Sequence, residues 1–251
     1  MQLSGAVVIV TGAASGIGRA TAVALAARGS LVVAVDRDGE SLADLSAQVD
    51  VLALEVDVRD PSHADHVVQS ALSAHRQIDA IVANVGIGYV GDFATMPVEA
   101  ISVLLEVNLR APMLLARAAL PQLLDQGTPG ALVFTTSIAG TVPVPTEAVY
   151  SLSKTALESF ADSLREELRD SSIVVSTVRP GVVRTAFHER RNTPYERRFP
   201  RPIAPAQIAR AILDVLDSGA ERRTVPRWLD LAARARRWLP WLYRPLARRL
   251  G

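Results

Sequence analysis

Tyr150 and Lys154 are the residues of this chain best placed to do chemistry, because they stand four apart in the segment Tyr150-Ser151-Leu152-Ser153-Lys154. On a helix, positions i and i+4 share a face. An unperturbed phenol loses its proton near pH ~10, too high for a base at neutrality. A neighbouring ammonium favours the phenolate, so such a pair could act as general acid or base near pH ~7. Lys154 is also the single lysine of the chain, every other member of the 27 Lys and Arg being arginine. That exception argues for an ammonium with a task over an ordinary surface charge. Ser137 lies thirteen residues before Tyr150, just past an apolar run.

A second constellation lies at the other end of the chain. The run Val7–Val10 leads into Thr11-Gly12-Ala13-Ala14-Ser15-Gly16-Ile17-Gly18, and a helix-like segment, 19–28, follows. Glycines let the backbone turn tightly and approach a pyrophosphate, which rests on the free N–H groups of a helix N-terminus. The spacing here is G-x-x-x-G-x-G. Alone it marks only a tight connection; its place after the first strand favours a dinucleotide site. Asp36 ends the second apolar run, 18 residues past Gly18. A carboxylate there can accept hydrogen bonds from the adenosine ribose of NAD and would repel a 2′-phosphate. Arg37 beside it would favour NADP, but it can swing into water, so NAD is expected.

These groups need a scaffold, and the pattern supplies one. Short β-branched runs at 7–10, 31–35, 51–56, 80–83, 131–135 and 173–178 alternate with amphipathic stretches, and 222–225 could close the series. This is the βαβα rhythm of a mostly parallel sheet with helices on both faces. Its strands are nearly all apolar because both faces are buried. At 251 residues and 49% hydrophobic, the chain can fill one core, and no linker divides it. The expected organisation is a catalytic domain over 1–225 and a tail over 226–251.

The absence of cysteine excludes thiol nucleophiles, iron–sulfur clusters and disulfides, and suits a cytoplasmic location. The apolar run at 6–10 is too short for a signal peptide or membrane span. The net charge of +1 conceals a basic tail, with seven arginines against Asp230. A nucleic-acid binder would spread its basic charge over the folded body, so none is expected. His63 and His66, flanking Asp65 on a polar helix, read as solvated groups, and no metal is expected.

Thr11–Gly18, Asp36, Asn84-Val85-Gly86, Asn108, Ser137, Tyr150, Lys154 and Pro180-Gly181 follow the order and spacing of the short-chain dehydrogenase/reductase family, which the chain resembles over roughly residues 5–225. The resemblance implies a doubly wound Rossmann-type sheet of about seven strands and hydride transfer between NAD and a secondary alcohol or ketone. It implies that Gly12, Ser15, Gly16, Ile17 and Gly18 wrap the cofactor phosphates, and that Asp36, with Arg37 beside it, meets the adenosine ribose. Asp57 and Val58 would meet the adenine, and Asn84 and Gly86 would line the groove. Pro180, Gly181, Val183 and Thr185 would embrace the nicotinamide amide. Asn108, Ser137, Tyr150 and Lys154 match the catalytic tetrad: Asn108 keeps a water-linked proton path, Ser137 hydrogen-bonds the substrate oxygen, and Lys154 also contacts the nicotinamide ribose. A homodimer or homotetramer is implied as well. Ala83 departs from the family's Asn-Asn-Ala-Gly stretch and puts one local hydrogen bond in doubt.

Residues 185–202 fall where the family places a segment over the substrate. Their five arginines (190, 191, 197, 198 and 201) could attract an anionic group or be solvated. With the segment 138–146 this suggests a lipophilic or acidic substrate. In the tail, Trp228, Leu231, Ala232, Ala235, Trp238 and Leu239 share one helical arc opposite Asp230, Arg234, Arg236 and Arg237. Such an arc could lie in a membrane interface, or pack on the body or another subunit. Three other functions compete: a non-catalytic NAD-binding regulator, which the complete tetrad disfavours, an NADP-dependent carbonyl reductase, and membrane or partner attachment through the tail as the principal role.

Overall fold

The computed structural model describes residues 1–142, 144–191, 200–231 and 233. Six apolar runs and one mixed run become strands: β1 (Val7–Thr11), β2 (Leu31–Asp36), β3 (Val51–Glu55), β4 (Ala80–Ala83), β5 (Gly130–Thr135), β6 (Ile173–Pro180) and the mixed β7 (Arg222–Val225). They form one sheet in the order β3-β2-β1-β4-β5-β6-β7, and every pairing is parallel. The helices are α1 (Gly16–Ala26), α2 (Gly39–Ser46), α3 (His63–His75), α4 (Val98–Leu105), α5 (Ala111–Asp125), α6 (Ala148–Glu167), α7 (Phe187–Arg190) and α8 (Pro205–Ser218).

Side chains alternate across a strand, and the two resulting faces make two cores. Val8, Val10, Val32 and Ala34 point to one face and pack with Ala22 and Leu25 of α1 and Ile208 and Ile212 of α8. Val7, Ile9, Val33 and Val35 point to the other, against Val67 and Ala71 of α3, Leu115 and Ala119 of α5, and Leu157 and Ala161 of α6. From β1 the chain winds outward to β3, then crosses back to lay β4 on the opposite side of β1. That reversal opens a crevice beyond the carboxyl ends of β1 and β4, the place where open α/β sheets bind ligands.

Two local features bear on the site. Helices α4 and α5 are joined without a break by a π-helical turn, Glu106–Arg110, closed by the Ala111 N–H donating to the Glu106 carbonyl. The wider turn accommodates one extra residue. β6 runs two residues past its apolar stretch because Arg179 is buried there against Glu158.

One expectation is corrected. His63 is not solvated but 2% exposed, its Nδ1 2.8 Å from the Asp60 carbonyl and its Nε2 3.3 Å from that of Ala111. It starts α3 at the junction with α5, where two inward carbonyls give the ring partners that water would otherwise supply; His66 is exposed. At the head of the tail, Leu229 is the buried residue, while Trp228 and Leu231 are 41% and 66% exposed. The contact of Asp230 with Arg179 and Thr224 sets this phase and turns Leu229 toward Gly181. The rest of the arc, Ala232 and 234 onward, and residues 192–199 of the covering segment lie outside the described residues.

Candidate active site

Helix α6 buries one stripe, including Tyr150, Ser153, Lys154, Leu157 and Glu158, against the carboxyl ends of β5 and β6. That stripe carries Tyr150 and Lys154 into the crevice, as their spacing of four requires. Ser137 follows β5, and its Oγ accepts the Ala139 N–H at 3.1 Å, which fixes the turn that presents it. Its hydroxyl also bonds the Tyr150 phenol. Asn108 sits in the π-helical turn, fully buried. Its Oδ1 accepts the Ile87 N–H at 2.8 Å, and its Nδ2 donates to the Ile87 carbonyl at 2.9 Å and to Ser153 Oγ at 3.1 Å. Ser153 Oγ donates in turn to the Tyr150 carbonyl at 2.7 Å. Asn108 thus ties the loop after β4 to the first turns of α6. A Cβ on Gly86 would lie 3.2 Å from Lys154 Nζ and 3.3 Å from Asn108 Oδ1, so the loop approaches both side chains closely.

The electrostatics depart from the expectation of a phenolate held by an ammonium. Burial pushes the Tyr150 phenol up to about 12, the Ser137 hydrogen bond opposing it. Burial also pulls the Lys154 ammonium down to about 8. Lys154 Nζ donates to the Thr135 carbonyl at 3.1 Å, and desolvation dominates at both groups. The phenol therefore keeps its proton at neutrality.

The other side of the crevice is made by the glycine turn. Gly12 and Gly16 have φ of +70° and +55°, a region that side chains disfavour. A Cβ on Gly18 would fall 1.9 Å from the Gly12 carbonyl oxygen, so no side chain fits there. Ser15 stands at the N-cap of α1 with no side-chain cap, and the first turn holds no acidic residue, which leaves N–H groups and helix dipole for an anion. Asp36 Oδ2 accepts the Ala14 N–H at 3.0 Å, and Oδ1 accepts those of Arg37 and Asp38, so the carboxylate is held at the end of β2. Arg37 is exposed. These donors and this carboxylate fit a dinucleotide.

Other expected residues fall along the same groove. Asn84 Nδ2 donates to the Thr11 carbonyl at 3.1 Å and its N–H to Thr11 Oγ1 at 3.0 Å, bridging the ends of β1 and β4. Ala83 stays paired with Phe134, so the departure at that position leaves the ladder intact. Val58 packs with Val107 and Ala111. Asp57 is taken up by Arg59, whose Nε donates to Oδ2 at 2.9 Å and holds that carboxyl below its usual range. Pro180 ends β6, the Gly181 N–H bonds the Val225 carbonyl, Val183 bridges to Ile203, and the Thr185 methyl lies against Gly16.

Glu158, Arg179 and Glu147, which the sequence reading did not single out, also shape the site, together with Phe187 and Arg191 of the covering segment. Glu158 and Arg179 form a buried ion pair that fastens α6 to β6, beside Pro180. Glu158 follows Lys154 by four, a charged residue in the buried phase of the helix, and that was a usable signal. Phe187 lies with its ring centroid 5.7 Å from that of Tyr150, and Arg191 pairs with Glu147 at 2.8 Å. The Glu147 partner is 44 residues away, and no local pattern announces such a pair.

The doubly wound sheet, the glycine turn at its switch point and the Tyr–Lys helix together define a nucleotide-binding α/β protein of the oxidoreductase kind. A family model for short chain dehydrogenase matches residues 6–196. The chain is 38% identical over 192 residues to the 1-deoxy-11-beta-hydroxypentalenate dehydrogenase of Streptomyces exfoliatus, covering 74% of this chain and 70% of that one. It is 34% identical over 195 residues to the dehydrogenase/reductase SDR family protein 7-like of Drosophila melanogaster, covering 73% of this chain and 59% of the fly protein. A short-chain dehydrogenase from Sphingobium yanoikuyae, solved in complex with NADPH, superposes with a TM-score of 0.82 at 29% identity, over 97% of this chain and 95% of that one. The chain belongs to the short-chain dehydrogenase family of oxidoreductases.

Proposed function

We propose that this protein transfers a hydride between NAD and a secondary alcohol or its ketone on a lipophilic body. The carrying observation is the convergence of Asn108, Ser137, Tyr150 and Lys154 on one crevice, opposite the glycine turn and walled by Ile87, Tyr89, Leu104, Val149 and Phe187. When bound, the nicotinamide supplies or accepts the hydride. Gly12, Ser15, Gly16, Ile17 and Gly18 hold the phosphates, Asp36 the adenosine ribose, and Asp57, Val58, Asn84 and Gly86 line the groove. Pro180, Gly181, Val183 and Thr185 flank the nicotinamide end. Ser137 hydrogen-bonds the carbonyl oxygen, and Tyr150 protonates that oxygen in reduction and accepts its proton back in oxidation. Lys154 places a positive charge beside the phenol and a donor toward the ribose.

The test follows nicotinamide absorbance with NADH and NADPH against a panel of alicyclic and long-chain ketones. Turnover with NADH is expected, and its absence with every ketone and both cofactors would leave the non-catalytic binder. A second reading, NADP dependence, draws on exposed Arg37 beside Asp36 and on the NADPH of the Sphingobium relative. The ratio of kcat/KM for the two cofactors decides between them. Sedimentation and liposome flotation read the remaining two expectations, a homo-oligomer and an interfacial tail. Among the described residues no helix is long and apolar enough to cross a membrane.

A further inference from the structure

Two adjacent arginines at the end of α7 turn opposite ways. Arg190 reaches the glycine turn, its Nη1 3.4 Å from Ser15 Oγ. Arg191 turns to the substrate side, where its guanidinium carbon lies 5.7 Å from the centroid of Phe187, itself stacked at 5.7 Å on Tyr150. The guanidinium is thus no more than two such spans from the catalytic ring. The Arg191 side chain is only 8% exposed; its Nη1 donates to Glu147 Oε1 at 2.8 Å, and its buried Nε–H has no acceptor among the described residues. A buried donor left unpaired is costly, and an acceptor brought by a ligand recovers that cost.

What kind of acceptor follows from the charges. Glu147 stands at the N-terminus of α6 but does not cap it; the carboxylate goes to Arg191 instead. The pair is neutral as a unit. A substrate carboxylate would meet the largely buried Glu147 as a like charge, whereas an uncharged oxygen would take the Nε–H without that opposition. The surroundings are apolar: Phe187, Tyr89, Met96 and Leu104 cluster around Tyr150. A cavity of about 270 Å³, lined by Ile87, Gly88, Ala100, Val103 and Leu104 with one carboxylate, Glu99, adjoins them. Gly88 joins the two, since a Cβ there would stand 2.7 Å from Phe187 Cζ and 3.3 Å from Arg191 Cδ.

We infer that Arg191 recognises a second, uncharged oxygen on the substrate, so that the substrate class is a lipophilic alcohol or ketone bearing a remote ester, lactone or ether acceptor. The inference rests on the hydride-transfer reading above and narrows it: of the arginines that could have drawn an anion, this one is cancelled by Glu147.

The test compares three alicyclic ketones of equal size whose remote substituent is an alkyl group, an ester or a carboxylate, with kcat/KM measured for each. The wild type should prefer the ester over the alkyl ketone by ~10-fold or more, the scale of one recovered buried hydrogen bond, and should disfavour the carboxylate. In Arg191→Met the ester-to-alkyl ratio should fall toward one. In Glu147→Gln the guanidinium is left charged, and the carboxylate-to-ester ratio should rise ~10-fold. NADH binding by fluorescence checks that each variant is folded. Equal use of all three ketones by the wild type would overturn the inference while leaving hydride transfer standing; so would an unchanged ester-to-alkyl ratio in Arg191→Met, or an unchanged carboxylate-to-ester ratio in Glu147→Gln. No turnover of any of them would overturn both.

Discussion

On the side of the crevice where β1 and β2 end, the shape is made by backbone: the turn through Gly12 and Gly18 is so close that no Cβ fits, and Asp36 is pinned by three N–H groups. On the side closed by α6 and α7 the shape is made by long side chains, with Phe187 on Tyr150 and Arg191 on Glu147. A backbone cradle tolerates no added atom and serves a ligand part that never varies. A side-chain wall can be rebuilt one residue at a time, which suits the variable part of a reaction. The difference separates what defines the family from what defines the member.

The contrast can be broken most sharply at Gly18. Gly18→Ala sets a methyl against the Gly12 carbonyl, so cofactor binding, and with it much of the folded population, should be lost in thermal melts and NADH fluorescence. A variant that melts and binds like the wild type would show slack in a loop described here as having none. Next in size is Tyr150→Phe, where turnover should fall by ~10²-fold or more while NADH binding holds, since the ring stays and only the exchangeable proton goes. Near-normal turnover would remove Tyr150 from the chemistry.

Lys154→Met should give a smaller effect of opposite sign, on stability. Burial pulls Lys154 from 10.5 to about 8, so between those values the unfolded chain binds more protons than the folded one, and wild-type stability rises with pH. Below about pH 8 the wild type carries the whole desolvation cost and methionine none. The variant should therefore be more stable at pH ~7 by about 1–3 kcal/mol, allowing for the lost Thr135 hydrogen bond, with the gain fading as pH climbs toward the ordinary lysine value. Denaturant midpoints at neutral and alkaline pH measure this, and equal gains at both would refute the assignment. Smallest is Asp36→Ala: the ratio of NADPH to NADH use should rise because the clash with a 2′-phosphate is gone and Arg37 remains, whereas a fixed ratio would mean that Asp36 does not set the preference.

The strands were legible to within a residue or two because a strand buried on both faces is written as an unbroken apolar run. Where legibility failed, a buried charge was the reason: β6 continues through Arg179, which is buried against Glu158 of α6. His63 misled for a similar cause, since its two partners are carbonyls and backbone carries no sequence signal. Gly12, Gly18, Tyr150 and Lys154 could be read directly, their spacing being the geometry itself. Asn108 was reached only through resemblance, because nothing in Glu106–Arg110 spells a π-helical turn. The Glu147–Arg191 pair and the position of Phe187 were not legible; they depend on how a distant segment folds over the crevice.

The π-helical turn between α4 and α5 also says something about how such a site is held together. A turn of this kind is one residue more than an α-helix needs, absorbed locally so that the helical faces before and after it keep their register. Removing a single residue from Glu106–Arg110 would leave an ordinary α-helical rod and would take away the inward amide of Asn108, together with its three hydrogen bonds to Ile87 and Ser153. The one extra residue thus couples the inside of a helix junction to the shape of the crevice, since the amide it turns inward is the one that fixes Ile87 on one side and Ser153 on the other.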